Sequence, residues 1–127
     1  MYEIKKTANI VDDIRISEGE RELIVHVDIN VMGTLKNFHA LRKELAIKSE
    51  RIQKEPESEE ALEQFGIAIV DFFTCLFGER TKDIIEFYNG DYAQMLGDFS
   101  GYIKEELLPR INEAEQELIK KYKGFKK

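Results

Sequence analysis

Residues 61–103, ALEQFGIAIVDFFTCLFGERTKDIIEFYNGDYAQMLGDFSGYI, hold most of the chain's aromatic residues and read as helix, tight turn, short helix, tight turn, helix. Leu62, Phe65, Ile69, Phe72, Phe73 and Leu76 fall at the three- and four-residue steps of one helical face. Ile67, Val70 and Phe77 add apolar bulk outside that stripe, which predicts a central helix covered on more than one side. Gly78 offers a left-handed C-cap, and Thr81 is a candidate cap for a second helix built on Ile84, Ile85, Phe87 and Tyr88. Asn89-Gly90 ends that helix. Asp91, with Gln94 three positions on, is a variant capping box that opens a third helix through Tyr92, Met95, Leu96, Phe99 and Ile103. Nothing in this stretch has the look of a catalyst.

Upstream, Ile10–Ser17 and Glu22–Val31 read as two strands joined around Glu18-Gly19-Glu20. Leu23, Val25, Val27, Ile29 and Val31 point one way, while Ile24, His26, Asp28 and Asn30 point the other, the alternation of a strand with one wet face. Ile14 and Ile16 supply the matching face of the first strand. A lone hairpin is marginal in water, so it must pack on the helices or pair with another chain. Tyr2 and Ile4 suggest a short third strand. Thr34 is a candidate N-cap for an amphipathic helix from Leu35 to about Gln53, with Leu35, Phe38, Leu41, Leu45 and Ile52 near one stripe. Pro56 breaks it, and Ser58-Glu59-Glu60 starts the central helix.

Downstream, Pro109 follows Leu107-Leu108 in a stretch that is helical on both sides. A kink is expected there, with a last helix from Pro109 to about Lys123 carrying Ile111, Leu118, Ile119 and Tyr122. Gly97 and Gly101, four apart, would allow a neighbouring backbone to come close. The expected fold class is α+β, mainly α: an N-terminal hairpin followed by four to five helices in a single domain. The hairpin region occupies 1–32 and the helical region 33–127.

The 127 residues suffice for one core; 43% are hydrophobic and 35% charged, as in a soluble globular protein. No apolar run approaches the ~18 residues of a membrane span. The N-terminus lacks the apolar segment of a signal peptide. The one cysteine, Cys75, leaves no internal disulfide to form, and a free thiol in an apolar helix suits a cytoplasmic protein. The net charge is −6, yet the last ten residues carry +5 through Lys120, Lys121, Lys123, Lys126 and Lys127, so the rest carries −11, the difference of the two. An acidic body argues against nucleic-acid binding, which needs basic surface. The lysines also complement the dipole at a helix C-terminus.

Few residues assemble into a known chemistry. A single cysteine excludes a CxxC site, and His26 and His39 lack metal-ligand spacing, so each reads as a surface histidine. No GxxxxGK[ST], GxGxxG or GxSxG motif is present. Asp71 interrupts IAIV and FFTCLF. A buried acid there would be a catalytic candidate, but it lies off the stripe with no second acid or histidine beside it, so a surface position is expected. The acids Glu55, Glu57, Glu59, Glu60 and Glu63 lack the pattern of a calcium loop and read as a solvated helix start. No metal, no cofactor and no enzymatic activity is expected.

The groups Phe72-Phe73, Phe77-Gly78-Glu79, Ile84-Ile85, Phe87-Tyr88, Asp91-Tyr92, Met95-Leu96 and Tyr102-Ile103 form a pattern. It resembles the tail assembly chaperones of long-tailed bacteriophages (siphophages) of Gram-positive bacteria. The hairpin, the charged first helix and the lysine-rich end are similar as well. The resemblance spans most of the chain and is specific across its middle third. It implies a non-enzymatic protein of the host bacterial cytoplasm, absent from the finished virion. Such a protein binds the tape-measure protein, keeps it soluble, helps recruit tail-tube subunits (the major tail protein) and self-associates. It further implies a longer product made by ribosomal frameshifting near the end of the frame, and Lys120-Lys121 and Phe125-Lys126-Lys127 suit an A-rich slippery site. The competing expectation is a small helical adaptor or regulator of a bacterium or prophage. Candidate partner-binding residues are Lys120, Lys121 and Lys123, the hairpin edge near Ile24 and His26, and Ile67 and Val70, which are either core or interface.

Overall fold

The computed structural model describes residues 1–6 and 8–125, apart from the side chain of Leu35. Leu35, expected on the first helix's stripe, and Lys126 and Lys127 of the lysine tail therefore lie outside the described residues. Strands β1 (Ile10–Glu18) and β2 (Arg21–Ile29) pair antiparallel in one register, from Ile10 opposite Ile29 to Glu18 opposite Arg21. Gly19 turns the chain with φ +61°, a value that suits a two-residue hairpin and costs glycine little. The period-two pattern sorts the faces. Val25, Val27 and Ile29 are buried, with Ile10, Ile14 and Ile16 beside them, while Ile24, His26 and Asp28 are exposed. β2 rests on the helices and β1 packs chiefly on β2.

Helix α1 (Val31–Lys54) begins four residues before the expected Leu35, which takes Val31 out of the strand. Its cap is Asn30, whose Oδ1 accepts the Gly33 N–H at 2.8 Å, while the Thr34 N–H already donates to the Asn30 carbonyl at 2.9 Å. Asparagine caps as well as threonine and comes first in the chain, so Thr34 is a buried residue inside the first turns. Phe38 and Leu45 are buried and Leu41 and Ile52 half-buried, as the stripe requires. Ser58 caps α2 (Glu59–Phe77) by accepting from the Ala61 N–H at 3.1 Å.

α2 is the central helix and touches α1, α3, α4 and β2. Ile69, Phe72, Phe73, Leu76 and Phe77 are buried along it. The ring of Phe99 meets Phe73 edge-on at 5.1 Å and Phe77 at 5.5 Å, a favoured aromatic geometry. Gly78 ends α2 with φ +58° and ψ −131°, a conformation open to glycine but outside the left-handed helix region expected of it. A 3₁₀ turn (Gly78–Arg80) then runs straight into α3 (Thr81–Phe87). Arg80 and Thr81 both keep helical dihedrals, so the junction has no extended residue to serve as a cap. The expected cap Thr81 is instead buried at the start of α3, and its Oγ1 has no hydrogen-bond partner among the described residues.

Asn89 (φ 53°) and Gly90 (φ 77°) reverse the chain after α3. Asp91 then caps α4 (Tyr92–Tyr102) by accepting the Gln94 N–H at 3.1 Å. Its own N–H goes to the Tyr88 carbonyl, so that group is satisfied without a return bond from Gln94. Where a kink is expected near Pro109, the chain has a π turn, Ile103–Leu107, in which the Leu108 N–H reaches back to the Ile103 carbonyl. Proline cannot donate, and the wider turn absorbs the disruption just ahead of it. α5 (Leu108–Phe125) carries straight on from that turn.

Four expectations fail for reasons of context. Residues 1–6 form no strand and are exposed, because Tyr2 and Ile4 are too few to bury a face. Gly97 and Gly101 share an exposed face where an added Cβ would meet nothing within 4 Å. The close approach occurs at Gly66, whose Cβ would lie 3.0 Å from Tyr92 Cδ2. On α5 the apolar stripe outruns its cover: Ile111 is buried and Leu118 half-buried, but Ile119 and Tyr122 are exposed. Finally, Glu59–Phe87 is by length and composition apolar enough to cross a membrane, since isolated polar residues such as Asp71 break the run without making it polar. One face of that stretch is committed to the protein core.

Two tyrosine–carboxylate bonds tie the layers together. Tyr102 Oη donates to Asp12 Oδ2 at 3.0 Å, joining α4 to β1, with Arg110 Nη1 3.5 Å from the same oxygen. Tyr88 Oη donates to Asp98 at 2.9 Å. Burial first, and then the carboxylate acceptor, pushes both phenols well above the usual tyrosine range.

A candidate protein-binding groove

Successive residues on α2 four apart make two parallel rows. Leu62, Gly66 and Val70 form one row, and Glu63, Ile67 and Asp71 form the next. Because Gly66 has no side chain, the Tyr92 ring from the first turn of α4 lies against the first row. Together these seven residues line a shallow groove of about 340 Å³. Leu62 is 51% and Ile67 55% exposed, and Val70 is half-buried. Leaving three neighbouring aliphatic side chains in water is unfavourable, and such patches on a folded surface mark contact sites. Glu63 and Asp71 stand exposed at the two ends of the Ile67 row, and neither forms an ion pair among the described residues.

The expected contact residues fall in three places. Ile67 and Val70 are brought together here, and Leu62, read from the sequence as core, joins them. Leu62 sits in the first turn of α2, where the stripe runs beyond the elements that would cover it. Gly66 and Tyr92 were not anticipated; the glycine within an apolar helix was the available signal for a close approach from outside. Ile24 and His26 lie instead on the outer hairpin face, where His26 Nδ1 is 2.7 Å from Asp13 Oδ1 and Arg15 pairs with Glu22 at 3.2 Å. Lys120, Lys121 and Lys123 are exposed on the last turns of α5. Neither set lines the groove.

Other positions offer less for binding. A larger hollow of about 890 Å³ lies where α2 meets the 3₁₀ turn, but Arg80 and Lys82 share it with Asp28, Glu79 and Asp83, so its charge is mixed. Cys75 borders it with its Sγ 3.7 Å from the Thr34 carbonyl, and burial raises the thiol pKa, keeping it protonated at neutral pH. Asp71 is exposed, as expected for an acid off the stripe. Among the described residues no three His, Cys, Asp or Glu side chains gather to hold a metal ion. His39 faces Glu115 across α1 and α5 at 3.3 Å. Compared with known proteins, the chain matches no family profile, no curated protein and no solved structure.

Proposed function

We propose that this chain is a non-enzymatic tail assembly chaperone of the long-tailed phage kind, which binds a tape-measure protein in the cytoplasm and keeps it soluble until tail-tube subunits are recruited. The observation that carries the reading is the apolar groove of Leu62, Ile67, Val70 and Tyr92 on the outer side of the core helix. A long helical client with apolar stripes aggregates unless those stripes are covered. A rigid groove built on a helix anchored by Phe72 and Phe73 offers such cover without folding on contact. The residue pattern from Phe72-Phe73 to Tyr102-Ile103 supports the choice of family, although most of that pattern lies in the core and turns. The formal charge of −6 keeps a coat of such molecules from clumping while they self-associate along the client.

The test is co-expression with a tape-measure protein of a long-tailed phage. The expected result is that the client moves into the soluble fraction and copurifies with the chain. Replacing Leu62 and Ile67 together by serine should return it to the pellet while the chain itself stays folded. A client that remains insoluble with the wild-type chain would overturn the reading and favour an adaptor for some other protein.

A further inference from the structure

We infer that the outer face of the α1–α2 pair docks on the same face of a second copy, with α1 of each chain lying antiparallel on α2 of the other. The inference gives the self-association in the proposed function a surface, and it rests on that reading only for what the pairing serves. α1 carries the row Lys43–Ile47–Arg51 and α2 the row Glu63–Ile67–Asp71, both apolar at the centre and opposite in charge at the ends. Ile47 is 50% and Ile67 55% exposed, on the sides of their helices turned away from the core residues Phe38, Leu45 and Ile69. The helices run antiparallel: Arg51 Nη1 donates to Gln64 Oε1 at 2.8 Å near one end, and Cys75 Sγ is 3.7 Å from the Thr34 carbonyl near the other. Counting along both helices from these contacts at about 1.5 Å per residue sets Ile47 level with Ile67, Lys43 with Asp71 and Arg51 with Glu63, each within about one turn. Ala40, one turn before Lys43, lines the same hollow as Asp71.

This face is self-complementary in one arrangement. A two-fold axis parallel to the helices lays α1 of one chain on α2 of the other with the levels kept. Ile47 then meets Ile67, Lys43 meets Asp71 and Arg51 meets Glu63, each contact made twice. A two-fold axis across the helices would lay α1 on α1, setting Lys43 against Arg51 and Glu63 against Asp71, which like charge opposes. Other charges of α1 are paired within the helix, Glu44 with Lys48 at 3.2 Å and Glu50 with Lys54 at 3.3 Å. Lys43, Glu63 and Asp71 form no ion pair among the described residues. Arg51 is already held by Gln64 and by Glu55 at 3.0 Å, with Nη2 a looser 3.9 Å from Glu60, so Lys43 and Asp71 are the stronger pair. A single foreign helix answers one row; a second copy answers both at once. The groove's Leu62–Gly66–Val70 row lies beyond Ile67 on the side away from α1, where it stays open to a client.

The experiment is sedimentation velocity on the full chain at about 100 µM, where a micromolar Kd leaves mostly dimer. Wild type should sediment as a dimer whose Kd rises with salt. Lys43→Glu and Asp71→Lys should each weaken it at least about tenfold, because the two-fold makes every like-charge clash twice. Both positions are exposed and unpaired, so the unfolding curves should match wild type. Mixed in equal amounts, the two variants should dimerise again, since each new charge meets its opposite, and so should the double variant Lys43→Glu/Asp71→Lys. A monomeric wild type, single variants that dimerise as wild type does, or a mixture that stays monomeric would overturn the inference. So would a dimer tightened by Lys43→Glu, the mark of α1 lying on α1. Co-expression separates this inference from the proposed function. A wild type that is monomeric yet keeps the client soluble removes the dimer and leaves the chaperone reading; a client left in the pellet while the charge-swap pattern holds does the reverse.

Discussion

Replacing Phe73 by alanine should cost the fold about 4 kcal/mol, within the ~3–5 kcal/mol typical of deleting a buried phenyl ring. Phe73 is completely buried where α2 meets α4, with the Phe99 ring at 5.1 Å and the Phe77 ring at 5.6 Å. Its removal leaves a cavity between two helices whose separation is held by other residues, so collapse is partial. Each ring pair adds roughly 0.5–1.5 kcal/mol beyond area burial, and the deletion figure already includes part of that. Phe73→Leu divides the two effects. It keeps most of the volume and loses both ring pairs, so about 1–2 kcal/mol is expected.

At about 2.1 cal/mol/K per residue, the unfolding entropy of a 127-residue chain makes 4 kcal/mol equivalent to a fall of about 15 °C in Tm. Urea unfolding followed by far-UV circular dichroism is the assay, since the chain has no tryptophan and is largely helical. The midpoint should fall while the slope stays constant, because the surface exposed on unfolding is little changed. An alanine variant within about 1.5 kcal/mol of wild type at unchanged slope would refute a core organised on this ring cluster. Should the alanine variant fail to fold, the leucine variant still tests the ring-pair contribution.

Thr81→Val should stabilise the protein by about 1 kcal/mol in the same assay, because it replaces a buried hydroxyl with no partner among the described residues by a methyl group of similar shape; destabilisation would mean that the hydroxyl is satisfied, for example by a bound water. Gly66→Ala in a helix ordinarily gains ~1 kcal/mol, but here the new Cβ meets the Tyr92 ring at 3.0 Å, so a net loss is expected from overpacking of ~1–3 kcal/mol. The loss should turn into a gain in a Tyr92→Ala background, and a loss of equal size there would rule out the contact as its cause. Stability should also fall in alkali. The folded pKa values of Tyr88 and Tyr102 are raised, so their contribution is whole below the unfolded tyrosine value of ~10 and is lost above it, as the unfolded chain gives up its protons first. Stability against pH for Tyr88→Phe/Tyr102→Phe should start lower near neutrality and decline less steeply above that value; parallel curves would contradict the assignment.

Periodicity carried most of the fold because it records which residues share a face. The alternation from Val25 to Ile29 and the three- and four-residue steps from Ile69 to Leu76 are both buried as written. What it does not record is where a face stops being covered. Leu62 and Ile119 continue their stripes in sequence and are exposed, because no neighbouring element reaches that far along α2 or α5. Caps were misread for a related reason. Thr34 and Thr81 have the right chemistry, but a cap needs an extended backbone, and the chain is already helical at both positions. Gly97 and Gly101 have the spacing of a close contact and the wrong face.

The groove arises from the same difference between pattern and cover. The row Glu63–Ile67–Asp71 is present in the sequence, yet an apolar residue between two acids on a helix reads equally as a weak core position. Only the arrival of Tyr92 at Gly66, from a helix 26 residues on, turns the neighbouring row into a floor and leaves Ile67 on its rim. More than half of the Ile67 side chain stays in water, so the fold makes limited use of its apolar surface. An aliphatic side chain that is 55% exposed, between two carboxylates with no ion pair among the described residues, is available for a contact outside the fold. That is why the α2 surface, rather than the larger mixed-charge hollow or the lysine-rich end, is the place to look for the partner.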